Sequence, residues 1–331
     1  MVKRMSKELK NVKILGTGRY VPEKIVTNDD LSKIVDTSDE WIYTRTGIRE
    51  RRISEGENTS ELSTKAALEA IKASEIAAED IDLLIVATCT PDKFVPSTAC
   101  LVQANIGAVN ATCFDISAAC TGFLYALNTA AQFIKSGQCK TALVIGAEVL
   151  SKILDWNDRA TCVLFGDGAG AAILTASEEE GITSIYTKSD GVKGLVLNCE
   201  ALEVRNPFTP LSERNNSFVS MEGGEVFKFA VKAMEESIEN VLKSSGNSID
   251  DIKLIVPHQA NKRIIDTCVK RLKVDESKFY VNLHNYGNTS AASIPIAFDE
   301  VVKKGLIKRG DKVILVGFGG GLTWGAALIS F

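Results

Sequence analysis

Residues 80–86, Asp-Ile-Asp-Leu-Leu-Ile-Val, are written again with small changes as Asp-Ile-Lys-Leu-Ile-Val at 251–256. Two further pairs follow in the same order. Ser117-Ala-Ala-Cys120 matches Ser290-Ala-Ala-Ser293, and Lys140-Thr-Ala-Leu-Val144 matches Lys312-Val-Ile-Leu-Val316. Short apolar strings recur by chance, but three at nearly one offset in one order point to an internal duplication. The chain of 331 residues is long enough for two domain-sized units. The expected division is a first half over 1–175, a connector over 176–219 and a second half over 220–331. The connector carries an acidic turn at Glu178-Glu-Glu-Gly181 and prolines at Pro207 and Pro210.

Within each half, short Val/Ile/Leu runs alternate with longer amphipathic stretches, the pattern of strands joined by crossover helices. Strands are expected at Lys13–Gly16, Leu83–Ala87, Thr112–Ile116, Ala142–Ile145, Val163–Phe165, Ala169–Leu174, Leu254–Val256, Phe279–Leu283, Val313–Val316 and Gly325–Phe331. Helix-like stretches, Ser63–Glu75 and Val226–Ser244, precede the repeated strand in each half. Thr121–Lys135 reads as a helix buried on several sides, because it carries almost no charge. The fold class is α/β with a pseudo-twofold, the loops of both halves facing one cleft.

Charge narrows the function. Lys and Arg number 38 against 42 Asp and Glu, a net −4, without the basic surplus of a nucleic-acid binder. The eight cysteines form no CxxC pair, and His258 and His284 are the only histidines, so a metal centre has little to build with. Free thiols among apolar neighbours, as at Cys89 and Cys162, fit a reducing compartment. The Lys-rich start, Met1–Lys13, lacks the apolar stretch of a signal peptide, and no run reaches membrane-spanning length. A soluble, cytoplasmic protein is expected.

Cys120 stands out in Asp115-Ile-Ser-Ala-Ala-Cys-Thr-Gly-Phe123, between an expected strand and the buried helix. A thiol at a helix N-terminus meets the positive end of the macrodipole, which favours the thiolate, and small neighbours leave room for a substrate. A buried structural cysteine is the alternative. His258, in Val256-Pro-His-Gln-Ala-Asn261, falls on the loop after the repeated strand, where α/β sites are built. Asn288, in Tyr286-Gly-Asn-Thr-Ser290, reads either as a turn asparagine or as a partner of Cys120 across the pseudo-twofold. His284 reads as an ordinary loop residue. Gly317-Phe-Gly-Gly-Gly-Leu-Thr-Trp-Gly325 lacks the Lys-Ser/Thr of a phosphate loop, and Gly166-Asp-Gly-Ala-Gly170 runs into a strand. The first of these glycine strings suits a backbone N–H aimed at a thioester oxygen, or simply a tight turn.

The strings DISAACTGF, PHQANKR, YGNTSAAS, FGDGAGAA and GFGGGLTWG together resemble the β-ketoacyl-acyl-carrier-protein synthase III family of the thiolase superfamily. The resemblance runs from about Val12 to Phe331. It implies a duplicated five-layered αβαβα fold, a homodimer, and the priming condensation of type II fatty acid synthesis. An acyl-CoA and malonyl-acyl-carrier protein would be the substrates, with no metal or other cofactor and no nucleic-acid or membrane partner. Cys120 would be the nucleophile, with His258 and Asn288 completing a Cys-His-Asn set and the N–H groups of Cys120 and Gly320 forming the oxyanion hole.

The same resemblance places Trp41, Arg45, Arg159, Gly223, Phe227 and Asn261 on CoA, and Val95 at the acyl pocket. Arg45 belongs to a basic cluster with Arg49, Arg51 and Arg52. Gln259, Ala260, Asn261, Lys262 and Arg263 would form the carrier-protein docking segment. That segment opens a stretch, Gln259–Val274, in which five cations face one acid, a surface that attracts an acidic carrier. Asn288 separates this reading from the Cys-His-His elongating synthases and the Cys-His-Cys thiolases. A synthase III-like enzyme of a specialised polyketide-type pathway, a non-catalytic acyl-binding homologue and a cysteine hydrolase are the alternatives.

Overall fold

The computed structural model describes residues 11–204, 206–209 and 218–331; the first ten residues of the Lys-rich start and Pro210 lie outside them. The N-terminal half contributes strands β1 (Asn11–Tyr20), β2 (Leu83–Ala87), β3 (Thr112–Ile116), β4 (Thr141–Glu148) and β5 (Gly168–Ser177). They form one sheet in the order β1-β5-β4-β2-β3. β2 runs parallel to β3 and β4, while β5 is antiparallel to β4 and β1. Strands β6 (Ile182–Ser189), β7 (Leu254–Pro257), β8 (Lys312–Gly319) and β9 (Thr323–Ser330) form the second sheet, in the order β7-β8-β9-β6. Again the first pair is parallel and the outer pairs antiparallel, so the second sheet repeats the first without its β3.

Six helices matter to the site: α1 (Asp39–Thr46), α2 (Thr59–Ser74), α3 (Gly122–Lys135), α4 (Gly223–Ser245), α5 (Lys262–Leu272) and α6 (Ser293–Lys303). Because successive strand residues face opposite ways, β2 sends Leu83, Ile85 and Ala87 to one core and Leu84 and Val86 to another. The first core holds α3 and α6 between the two sheets. The second lies under α2, and a third lies between the other sheet and α4 with α5. The layers therefore run helix, sheet, helix pair, sheet, helix. The near-absence of charge in α3 follows from this place: Phe123, Leu124, Ala126, Leu127, Ala130, Ala131 and Ile134 are all fully buried.

Three expectations need correction. Residues 182–189, assigned to the connector, are β6, hydrogen-bonded along β9 at the edge of the second sheet. Val163–Phe165 is not a strand. Asp158 caps a helical turn at Arg159–Cys162, and only Phe165 makes a bridge, to Asn288. Phe279–Leu283 likewise keeps a single bridge, Ile255 to Phe279. The Gln259 side chain takes the polar groups a strand neighbour would have paired. It accepts from the N–H groups of Asn282 (3.0 Å) and Leu283 (3.2 Å) and donates to the Tyr280 carbonyl (3.0 Å).

The duplication also aligns differently in space than in letters. Ala119–Thr121 and Ser290–Ala292 are equivalent 3₁₀ turns, each leading directly into a central helix. Ala119 and Ser290 both hold left-handed backbone, φ 45° and 47°. The mate of Cys120 is thus Ala291, two positions from the register the repeated strings suggest. Among the described residues no helix is long and apolar enough to cross a membrane.

Candidate active site

Cys120 sits in the turn ahead of α3 with its side chain buried. The thiol was expected to be acidified by the helix N-terminus. Instead burial pushes it up to about 12, with a hydrogen bond from the Ser290 side chain pulling the other way. Desolvation of a thiolate outweighs a terminal dipole when water is excluded. A cavity of about 840 Å³ opens above the sulfur, lined among others by Cys89, Phe94, Cys120, Ser290, Gly320 and Thr323. Cys89, read from sequence as an interior thiol, is exposed on this wall.

The glycine loop closes on Cys120 from the end of β8. A Cβ at Gly319 would lie 2.7 Å from the Cys120 backbone nitrogen and 3.0 Å from its Cβ, so only glycine lets β8 come this close. Gly320 follows on the cavity wall, and Gly321 turns the chain with φ 125°. Three residues, 320–322, thus join β8 to β9, where the N-terminal half spends Val149–Asp167 between β4 and β5.

His258 follows Pro257, the last residue of β7, and its N–H donates to the Val316 carbonyl (2.7 Å), which fixes it beside β8. The ring is buried edge-on against Phe318, with centroids 5.2 Å apart. Nδ1 lies 2.5 Å from Ser293 Oγ at the start of α6. Burial lowers its pKa to about 3, so the imidazole is neutral at physiological pH. Asn288 is buried as well. Its backbone bridges Leu164 and Gly166, and its Oδ1 accepts from the Ser290 N–H (2.8 Å). Hence β8 ties His258 to Cys120, and the Ser290 turn ties Asn288 to Cys120. His258 and Asn288 are buried and are not among the residues that line this cavity. His284 is exposed on a short helix apart from this cluster.

A second polar region lies on the outer face. The guanidinium groups of Arg45 and Arg159 stack on the Trp41 ring at 4.6 and 4.7 Å. Asn261 caps α5 by accepting from the Arg263 N–H (2.9 Å) and donates to the Arg45 carbonyl (3.1 Å), joining α5 to α1. Gly223 opens α4, and Phe227 on that helix lies under the Arg263 guanidinium at 6.0 Å. Two residues on, Phe229 packs edge-on against Phe318, whose ring also meets His258.

The expected basic cluster is thinner than its letters. Arg51 is fully buried, donating to Asn28 Oδ1 (2.8 Å) and the Val163 carbonyl (2.7 Å), and takes no part in a surface site. Arg49 is paired with Asp39 at 2.6 Å. Gln259 does not serve a docking surface either: it is buried and bonded as described above. Ala260 packs partly on the α4–α5 core. Lys262 is held by Asp266 and Glu276, and Arg271 by Glu235. Arg263 is exposed and makes no ion pair among the described residues. Val95 is exposed beside Phe94, and only Phe94 reaches the cavity of its own chain.

Sequence reading missed Ser293, Ser290, Phe318 and Glu148, which ends β4 fully buried. The signal available for Glu148 was one carboxylate closing an otherwise apolar run. Among the described residues no group of three His, Cys, Asp or Glu side chains is placed to hold a metal ion.

Residues 114–191 match the family model described as 3-oxoacyl-[acyl-carrier-protein (ACP)] synthase III, and residues 242–331 match the model of its C-terminal part. The beta-ketoacyl-[acyl-carrier-protein] synthase III of Clostridium novyi is 64% identical over 321 residues, 97% of this chain and 99% of that protein. The crystal structure of 3-oxoacyl-[acyl-carrier-protein] synthase III from Aquifex aeolicus superposes with a TM-score of 0.91 at 49% identity, covering 97% of this chain and 100% of that one. A priming β-ketosynthase from a polyketide biosynthetic pathway superposes with a TM-score of 0.91 at 35% identity, covering 97% of each chain.

Proposed function

The chain belongs to the 3-oxoacyl-[acyl-carrier-protein] synthase III family, acyltransferases that carry out the priming condensation of fatty acid synthesis, and on that premise we propose how its residues divide the reaction. Cys120 attacks the thioester of an acyl-CoA, CoA leaves, and an acyl-enzyme remains. Malonyl-carrier protein then binds and loses CO₂, and the resulting enolate attacks the acyl group to give a β-ketoacyl thioester. The observation that carries this reading is the buried Cys120 thiol beneath a substrate-sized cavity, with the glycine loop packed against its backbone.

Developing negative charge on the thioester oxygen falls to the N–H groups of Cys120 and Gly320 during acyl transfer. The enolate oxygen falls to His258 and Asn288. Stabilising an enolate calls for a donor that stays neutral, and burial keeps His258 so. With the Ser293 hydroxyl donating to Nδ1, the proton of the imidazole sits on Nε2, where it is free to donate. The reaction uses the CoA thioester as substrate and calls on no resident cofactor.

CoA is assigned to the outer face, with Trp41, Arg45 and Arg159 at the nucleotide end and Gly223, Phe227 and Asn261 along the pantetheine path. Arg263, beside that path, is the cation left for the carrier protein. A homodimer is supported by β3, an edge strand whose Cys113, Phe114 and Ile116 are only partly covered, and by Phe94, Val95 and Val109 exposed in the same half. In such a dimer Val95 would meet the partner's acyl cavity, and a small residue there accommodates primers larger than acetyl. A cytoplasmic location fits the free thiols.

The test is product analysis with acetyl-, isobutyryl- and hexanoyl-CoA and malonyl-carrier protein. The reading expects a β-ketoacyl-carrier product, formed well from the two larger primers. Release of free acid alone would mark a hydrolase, and strict use of acetyl-CoA would refute the role given to Val95.

A further inference from the structure

We propose that Glu148 is a positioning residue for Asn288. Through the Ser290 hydroxyl its buried carboxylate fixes the turn that aims the Asn288 amide, and so it serves decarboxylation and not the loading of Cys120. This rests on the reading of Asn288 as a donor to the enolate. Glu148 has no part in the reaction described so far, yet it ends β4 fully buried, and among the described residues it makes no ion pair.

Two hydrogen bonds make the link. Ser290 Oγ donates to Glu148 Oε1 (3.1 Å), and the Ser290 N–H donates to Asn288 Oδ1 (2.8 Å). A carboxamide whose oxygen is taken by a donor turns its NH₂ the other way. Asn288 Nδ2 makes no hydrogen bond among the described residues, so it is the group left to donate to a substrate oxygen. The backbone of Asn288 is held by Leu164 (2.8 Å) and Gly166 (3.0 Å), which leaves the Ser290 turn to set the side chain.

Glu148 is itself held as an anchor must be. Its carboxylate accepts from Thr90 Oγ1 (2.6 Å), Thr88 Oγ1 (3.1 Å) and the Cys89 N–H (3.1 Å), all on the segment after β2. Thr90 Oγ1 accepts in turn from the Val149 N–H (2.9 Å). Lys152 donates to the carbonyls of Thr90 (2.7 Å) and Pro91 (3.1 Å) and leaves the carboxylate alone. Among the described residues Ser290 is the donor to Glu148 that comes from the C-terminal half. Two residues earlier on β4, a Cβ at Gly146 would collide with the Ala291 carbonyl, so the strand lies directly against the turn that the carboxylate grips.

The pseudo-twofold separates the hydroxyl from the backbone of the turn. Ala119 holds the equivalent place ahead of Cys120, left-handed at φ 45° against 47° for Ser290. That turn forms without a hydroxyl, so left-handed backbone does not call for one. The two turns differ in what they serve: Asn288, two residues before Ser290, takes its orientation from it. Ser290→Ala is therefore compatible with the turn and leaves Glu148 its three other donors.

The experiment measures two single-turnover rates on the full-length protein: CoA release on loading of Cys120, and CO₂ release from malonyl-carrier protein in the presence of acyl-CoA. The wild type is compared with Ser290→Ala, Glu148→Gln, Asn288→Ala and the double variants that join each of the first two to Asn288→Ala. Ser290→Ala cuts the same link where Glu148→Gln fails to fold. The proposal predicts CO₂ release slowed about tenfold or more in either single variant, with loading within about threefold of wild type. In the Asn288→Ala background neither substitution should cost more than about twofold further, because the group it positions is gone. Equal slowing of both steps, or losses that multiply in the double variants, would overturn the proposal and leave Glu148 a packing residue. A loss with Ser290→Ala and none with a folded Glu148→Gln would overturn it too, and would assign the hydroxyl to the substrate. Unimpaired CO₂ release in Asn288→Ala would refute the reading of Asn288 itself, and the proposal with it.

Discussion

His258 Nδ1 and Ser293 Oγ lie 2.5 Å apart, joining the loop after β7 to the first residue of α6. A hydroxyl donating to Nδ1 in this contact would put the ring proton on Nε2 and leave that nitrogen free to donate. Ser293→Ala is therefore expected to slow malonyl decarboxylation and condensation at least tenfold while acyl loading stays within about twofold. Ser293→Thr should restore most of the rate. Single-turnover measurement of CO₂ release and of CoA release separates the two half-reactions. Equal losses in both would refute the role given to Ser293.

Burial of His258 also predicts a pH dependence of stability. Its folded pKa, about 3, lies below the unfolded value near 6.5, so the fold favours the neutral ring. That contribution is fully present above pH 6.5 and is lost as pH falls toward 3, at up to about 1.4 kcal/mol per unit. Denaturant unfolding of the wild type and of His258→Gln should show the stability difference shrinking over that window. A constant difference from pH 7 to 4 would contradict the buried neutral ring.

The approach of the glycine loop to Cys120 makes Gly319→Ala a severe test. The new Cβ would fall 2.7 Å from a backbone nitrogen, which cannot rotate away, so β8 must retreat from the thiol. Loss of one oxyanion donor typically costs ~10²–10³ in rate, and a drop of that order in the burst of CoA release is expected. A near-normal burst would show that the loop does not serve the oxyanion.

Carrier docking distinguishes Arg263 from its paired neighbours. Arg263→Glu should raise KM for malonyl-carrier protein about tenfold or more and leave acyl-CoA loading intact. Arg271→Ala, which removes a cation already held by Glu235 at 2.6 Å, should change KM little. Steady-state kinetics with each substrate varied in turn reads both. Equal effects from the two variants would move docking elsewhere.

Much of the architecture was legible because duplication leaves marks in letters. The strands at 83–87 and 254–257 repeat, and the apolar helix α3 announces its burial between two sheets. What letters hid was geometry set by tertiary contacts. β6 carries polar residues such as Ser184 and Lys188, because among the described residues it is an edge strand paired with β9 alone, and so it read as connector. Gln259 passed for a docking residue because a polar letter on a loop does not disclose that its amide replaces a strand partner. Cys120, His258 and Asn288 were found through their neighbours in sequence. Ser293 and Glu148 needed coordinates, since each matters only through the atom it touches.

The central claim is an acyl group carried on Cys120 between two substrates. Intact mass after incubation with acyl-CoA, for the wild type and for Cys120→Ser, tests it most directly. The account predicts one acyl adduct on the wild type and none on the variant. It further predicts discharge of that adduct into a β-ketoacyl-carrier product when malonyl-carrier protein is added. An unmodified wild type with every primer, or an adduct that malonyl-carrier protein leaves in place, would contradict it.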